Sequence, residues 1–266
     1  MTWSFNEQVQ PAATSVDLRL GATALRQPMI RIDIWADVIC PHCWISEIRL
    51  YQAIRKLGIE SLVDIRARCW RMGLAEIGGQ GRGESHVEIA FAMMHRRLET
   101  LMAESKDLGL RVEAARLGQV ATLDAHRLLR LGVHQERTVS LLARLHRAYF
   151  LEGLDIADRP TLKRLAVRQG YAPREVDRML QNEAGAAEVA ADEAYARRLG
   201  ATDVPFIVLD GYHVLRGVQT KMQCVTALAR ILTGNARAVA RSRRALGSTE
   251  RPLSGGERYQ PMRESV

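Results

Sequence analysis

The stretch Met29–Asp37, "MIRIDIWAD", alternates between apolar and polar positions. Ile30, Ile32 and Ile34 point one way, and Arg31, Asp33 and Trp35 the other, which predicts a β-strand. The period then changes. Leu50, Ile54 and Leu57 recur at helical spacing, and Gly58 follows as a terminator, so a helix should precede it. A second strand is predicted across Ser61–Trp70, "SLVDIRARCW". Strand, helix and strand in this order form a parallel crossover unit.

Gly78–Ser85, "GGQGRGES", reads as a flexible loop. A long helical region comes next. Met94, Leu98 and Leu101 share one face, as do Leu142, Leu145 and Tyr149. Asp158 with Pro160 opens a further helix, Pro173 opens another, and Gly200 closes the one that ends at Leu199. The period returns to that of strands in "VPFIVLDGYHVLRG", where Asp210-Gly211 between two apolar runs predicts a hairpin. A last helix carries Cys224, Leu228 and Ile231 on one stripe. The order is that of a thioredoxin fold, an α/β architecture, with an all-helical domain inserted in its middle. The expected divisions are an extension over residues 1–28, a first thioredoxin part over 29–77, an insertion over 78–200, a second thioredoxin part over 201–233 and a tail over 234–266.

With 266 residues, 47% of them hydrophobic, the chain can bury one large domain or a small one carrying an insertion. No run of eighteen apolar residues exists, so no membrane span is expected. The first 28 residues lack a basic start followed by an apolar block, so no secretory signal is expected either, and a cytoplasmic location follows. The net charge is +8, and the segment from Gly234 onward, with seven arginines against three acids, holds +4 of it. That segment reads as a disordered basic tail. Its single aromatic, Tyr259, offers little to stack on bases, so nucleic acid is not an expected partner.

The candidate chemistry lies in "DVICPHCW", where Cys40 and Cys43 flank Pro41-His42 at the first strand-to-helix junction. A structural zinc site needs four ligands, and there is no second Cys-x-x-Cys to complete one, so no metal and no organic cofactor are expected. Cys69 and Cys224 stand alone and read as buried small hydrophobes. A cysteine at the first turn of a helix meets unpaired N–H groups and the positive end of the helix dipole, and both stabilise a thiolate. A protonated His42 would add a cation. Cys40 is therefore the candidate attacking residue and Cys43 the resolving one. Pro205, after Val204, opens a strand, and a cis peptide bond opposite the cysteines is expected there. Asp37, three residues before Cys40, reads from its position as a loop carboxylate bonded to backbone. His126 is either a core histidine or one that faces the groove. Trp35 and Trp44 read as core.

"DIWADVICPHCW" together with "GATDVPFIVLDGYHVLRGVQ" resembles the DsbA-like thioredoxin-domain proteins, and within them the cytosolic FrnE-like branch, described as polyketide-biosynthesis-type dithiol–disulfide isomerases. "TLDAHRLLRLG", "RAYFLEGLDIAD" and "VAADEAYARRLGATDVPF" are similar to that branch's helical insertion and its approach to the cis proline. The resemblance implies a thiol–disulfide oxidoreductase with Cys40 as nucleophile, Cys43 as resolving cysteine, Val204-Pro205 as the substrate-binding pair and Asp37 as a candidate proton acceptor near the resolving thiol. Its substrate would be a protein or small-molecule thiol or disulfide, and glutathione or a thioredoxin system would reset it. Pro41-His42 departs from the Pro-Trp more usual in the branch and matches the dipeptide of the periplasmic oxidase DsbA. "CWRMGLAEIGG" departs from the branch's usual Trp-Arg-Pro-Phe pattern. The related kappa-class glutathione transferases and chromene-carboxylate isomerases usually have serine at the first cysteine position, so Cys40 argues against a glutathione-assisted isomerase. A tailoring enzyme of a natural-product pathway and a redox-inert binding scaffold remain the rival readings.

Overall fold

A computed structural model describes residues 30–72, 84–112, 120–131 and 135–247. The N-terminal extension, the glycine-rich stretch 78–83 and the end of the tail, 248–266, lie outside the described residues. Strand β1 (Ile30–Ala36) leads into helix α1 (Pro41–Leu57), and a single 3-10 turn precedes β2 (Val63–Cys69). Gly58 ends α1 at φ 62°, a left-handed conformation that costs glycine little. The helical region contains α2 (Glu84–Ser105), α3 (Leu123–Leu131), α4 (Gln135–Phe150), α5 (Arg159–Arg168), α6 (Pro173–Gln181) and α7 (Ala186–Arg198). Then come β3 (Phe206–Leu209), β4 (His213–Arg216) and α8 (Lys221–Gly247). Asp210 and Gly211, at φ 51° and 79°, make the tight turn of the β3–β4 hairpin.

The sheet order is β2-β1-β3-β4. β1 pairs parallel with β2, Ile30 facing Val63 through Ala36 facing Cys69, while β1–β3 and β3–β4 are antiparallel. Parallel pairing requires a crossover, which α1 supplies. The expected alternation along β1 holds in direction but not in burial, since every residue from Ile32 to Ala36 is buried. The insertion covers the second face: Trp35 Nε1 donates to the Asp192 carbonyl on α7 at 2.9 Å, and Arg68 joins Asp33 to the Asp192 carboxylate. α1 packs on α8, and α3, α4 and α7 lie against β2. The core therefore runs from the sheet into the insertion, and Trp35, Trp44, Phe150 and Phe206 are its largest fully buried side chains.

The last helix corrects the expected boundary at Gly234. It continues to Gly247 through "NARAVARSRRALG". Alanine and arginine are strong helix formers, and their propensity outweighs the lack of apolar periodicity that suggested disorder.

Candidate active site

Cys40 is the N-cap of α1, with extended backbone (φ −85°, ψ 112°), and its sulfur accepts from the Cys43 backbone N–H at 3.4 Å. Pro41, which has no N–H to lose, occupies the first turn. The capping role that serine or aspartate usually fills is thus held by a sulfur, at the end of the helix where negative charge is favoured. Burial pushes the Cys40 thiol up, but the Cys43 thiol, the charge of Arg97 and the Cys43 N–H together outweigh it and leave it lowered. Cys43, one turn deeper, goes the other way. Burial and then the neighbouring Cys40 sulfur hold its thiol well above the ordinary range.

Two distant segments meet at this sulfur. The Val204–Pro205 bond is cis, as expected. Arg97 on α2 places one nitrogen, Nη1, 3.3 Å from Cys40 Sγ and 3.3 Å from the Val204 carbonyl oxygen. The cysteine motif, the proline loop and the insertion therefore converge on one guanidinium. Its other terminal nitrogen pairs with the Asp203 carboxylate.

His42 differs from expectation. Burial and the nearby Arg97 push its pKa down to about 4, only partly opposed by Asp203, so the imidazole is neutral at pH 7. The cation beside Cys40 is Arg97, not His42. An imidazolium next to a buried guanidinium would add a second positive charge to one small volume.

Asp37 lies beneath the cysteines and is fully buried. Its carboxylate accepts from the Met72 N–H at 2.5 Å and the Ile39 N–H at 3.4 Å, and it meets His126 Nε2 at 3.1 Å. Burial works against a charge on His126, but its hydrogen bonds and the Asp37 carboxylate raise its pKa to about 10. This environment favours the charged ring, which pairs with the Asp37 carboxylate in the core. Next to it, His146 Nε2 donates to the Asp37 carbonyl at 3.1 Å while its Nδ1 meets Glu47 at 2.7 Å. Trp44 stacks on Phe150, ring centroids 5.1 Å apart, and is core. Cys69 and Cys224 are both fully buried, and burial pushes the Cys224 thiol up to about 11.

Sequence reasoning missed Arg97, Glu47 and His146. For Arg97 a signal existed. It stands three residues after Met94 and four before Leu101, on the edge of an apolar stripe where a lone charge needs a partner. Glu47 and His146 become a pair only through the packing of α1 against α4.

A profile of the DSBA-like thioredoxin domain matches residues 31–229. Among solved structures, the chain is similar to a "probable DsbA oxidoreductase" from Streptomyces coelicolor at 29% identity and a TM-score of 0.63, covering 77% of this chain and 90% of that one. It shares its fold with a 2-hydroxychromene-2-carboxylate isomerase (15% identity, TM-score 0.58, 78% and 98% covered). The cytosolic disulfide reductase DsbM from Pseudomonas aeruginosa also shares it (21% identity, TM-score 0.53, 76% and 98% covered). No curated protein matches the chain. No helix among the described residues is long and apolar enough to cross a membrane.

Proposed function

Since the chain belongs to the DsbA-like thioredoxin-domain family, we propose that it exchanges a Cys40–Cys43 disulfide with substrate thiols and disulfides through a mixed disulfide at Cys40. The observation that carries this reading is the unequal placement of the two thiols: the Cys40 sulfur caps the helix N-terminus 3.3 Å from Arg97 Nη1, and Cys43 lies one turn deeper. Cys40, at the helix N-terminus, is lowered, and Cys43 is held protonated. A pair so divided has one ready nucleophile and one reserve.

In the reducing direction the Cys40 thiolate attacks a substrate disulfide. One S–S bond breaks as another forms, and the departing sulfur leaves as a thiolate that takes up a proton. Cys43 then loses its proton and attacks the Cys40 sulfur, which forms the internal disulfide and releases the second substrate thiol. Two electrons pass from the protein pair to the substrate, and the reverse sequence oxidises a dithiol. Asp37, whose backbone hydrogen-bonds Cys43, is the candidate acceptor for the Cys43 proton, and its own charge is balanced by His126. Val204 and Pro205 form the wall against which substrate docks, and His42 is a neutral spacer between the cysteines. The substrates are protein or small-molecule disulfides, and a cytoplasmic thiol pool, glutathione or a thioredoxin system, resets the pair. No cofactor is needed for these steps.

The test is trapping. Cys43→Ala, mixed with a peptide disulfide, should accumulate a one-to-one covalent adduct at Cys40 on a non-reducing gel, and Cys40→Ala should give none. A parent protein that reduces no disulfide, with a Cys43→Ala variant that forms no adduct, contradicts the proposal.

A further inference from the structure

Arg97 is 6% exposed and belongs to the insertion, not to the thioredoxin part that carries the cysteines. Its Nη1 touches the Cys40 sulfur, the Val204 carbonyl and, at 3.2 Å, the Met72 sulfur. Neutral acceptors alone do not explain a buried guanidinium, because a charge taken from water needs counter-charge. Among the described residues, two counter-charges lie beside it. One is the Asp203 carboxylate, half exposed at the rim. The other is Cys40 itself, which supplies a negative charge only as a thiolate.

We propose that Arg97 is a catalytic residue of the exchange reaction described above, holding Cys40 as a thiolate both when it attacks and when it leaves, while Asp203 sets how much of the positive charge the sulfur feels. The proposal rests on the thiol–disulfide reading and adds to it the group that ionises the nucleophile. Arginine stays protonated throughout the range in which a thiol titrates, so its effect does not switch off with pH as that of histidine would. The electron count is that of the exchange itself. When the Cys40 thiolate attacks a substrate disulfide, its negative charge passes to the departing substrate sulfur, and Arg97 is left facing a neutral sulfur, still paired with the Asp203 carboxylate. When a substrate thiolate attacks the substrate sulfur of the mixed disulfide, a substrate disulfide forms, Cys40 is expelled as a thiolate, its sulfur regains the charge and the pair with Arg97 re-forms. The oxidant or reductant is the substrate disulfide or dithiol, which gains or loses the same two electrons.

A purely structural Arg97, strapping α2 to the loop before β3, would affect stability without moving the titration of Cys40. The two roles separate in the pH profile of thiolate formation, followed on reduced full-length protein by thiolate absorbance and by the rate of Cys40 alkylation. Arg97→Gln should raise the Cys40 midpoint by about one pH unit or more, equivalent to about tenfold less thiolate below the midpoint. Arg97→Lys, which keeps the charge, should restore most of the difference. A folded Arg97→Gln protein with the parental midpoint overturns the proposal. If that variant does not fold, Asp203→Asn at the rim decides. Its midpoint should fall, because the competing anion is gone, and a midpoint that stays or rises overturns the assignment. These profiles use no disulfide substrate, so a parent that failed to exchange with peptide disulfides would refute the functional reading and leave this measurement standing.

Discussion

At Cys40 and Cys43 two identical side chains are driven apart by position. One caps a helix beside a guanidinium, and the other lies within the first turn beneath it. Both are buried, so exposure does not distinguish them. Local electrostatics also distinguish Cys40 from Cys224, because burial pushes the Cys224 thiol up to about 11 while Cys40 is lowered, and of the two only Cys40 caps a helix beside a guanidinium. Reduced protein treated with a limiting alkylating reagent at pH 7 should therefore be modified first at Cys40, at least about tenfold faster than at Cys69 or Cys224, since the thiolate is the reacting species. Peptide mapping checks the order, and equal rates at the three sites would contradict it. The cysteine spacing and the proline were legible because both are local in sequence. Arg97 was not. Its neighbour Arg96 looks the same in one dimension, and only the docking of α2 shows which arginine reaches the sulfur. His42 was legible as a residue but not as a charge, because its neutrality is set by burial and by that same Arg97.

Among the elements, the turn from β1 into α1 is held from below by α3. Asp37 joins two backbone N–H groups of the thioredoxin part to His126 of the insertion. The unfolded histidine has a pKa near ~6.5, and the folded one about 10. Folding therefore strengthens proton binding. The stabilisation is complete below about pH 6.5 and disappears as pH rises through about 10. His126→Gln should cost about 3–5 kcal/mol at pH 6, because it leaves Asp37 without its buried counter-charge. The gap between variant and parent should narrow steadily as pH is raised toward 10. Denaturant unfolding across that range gives the result, and a gap that stays constant or widens would contradict the ion pair. The elements themselves were readable because helix stops such as Gly58 and the Asp210-Gly211 turn are backbone requirements written in single residues. The second face of β1 was legible only in part: Trp35 reads as core and is core, but the burial of Asp33 depends on Arg68, which links it to Asp192 of α7.

In the whole molecule the insertion and the thioredoxin part share one core, and the polar links between them cluster near the cysteines. Asp192 on α7 accepts from the Cys69 N–H at 3.0 Å and pairs with Arg68 and Arg130, while Arg97 reaches the Cys40 sulfur from α2. Such a frame fixes the geometry around Cys40 with elements more than fifty residues apart in sequence. The two-part architecture was visible in the change of period along the chain, but the way the insertion closes over the site depends on pairings that no spacing rule encodes. Thiol–disulfide exchange at Cys40, the function proposed for this frame, should be visible in a redox titration. The protein is equilibrated in glutathione buffers of graded ratio, quenched with acid, and the state of Cys40 and Cys43 is read by mass. A stabilised thiolate favours the reduced form, so one two-electron transition confined to this pair is expected, with a midpoint above the roughly −270 mV of thioredoxin, toward the roughly −120 mV of a strong oxidant. A pair that never forms its disulfide, or one with a midpoint at or below about −270 mV, would contradict it.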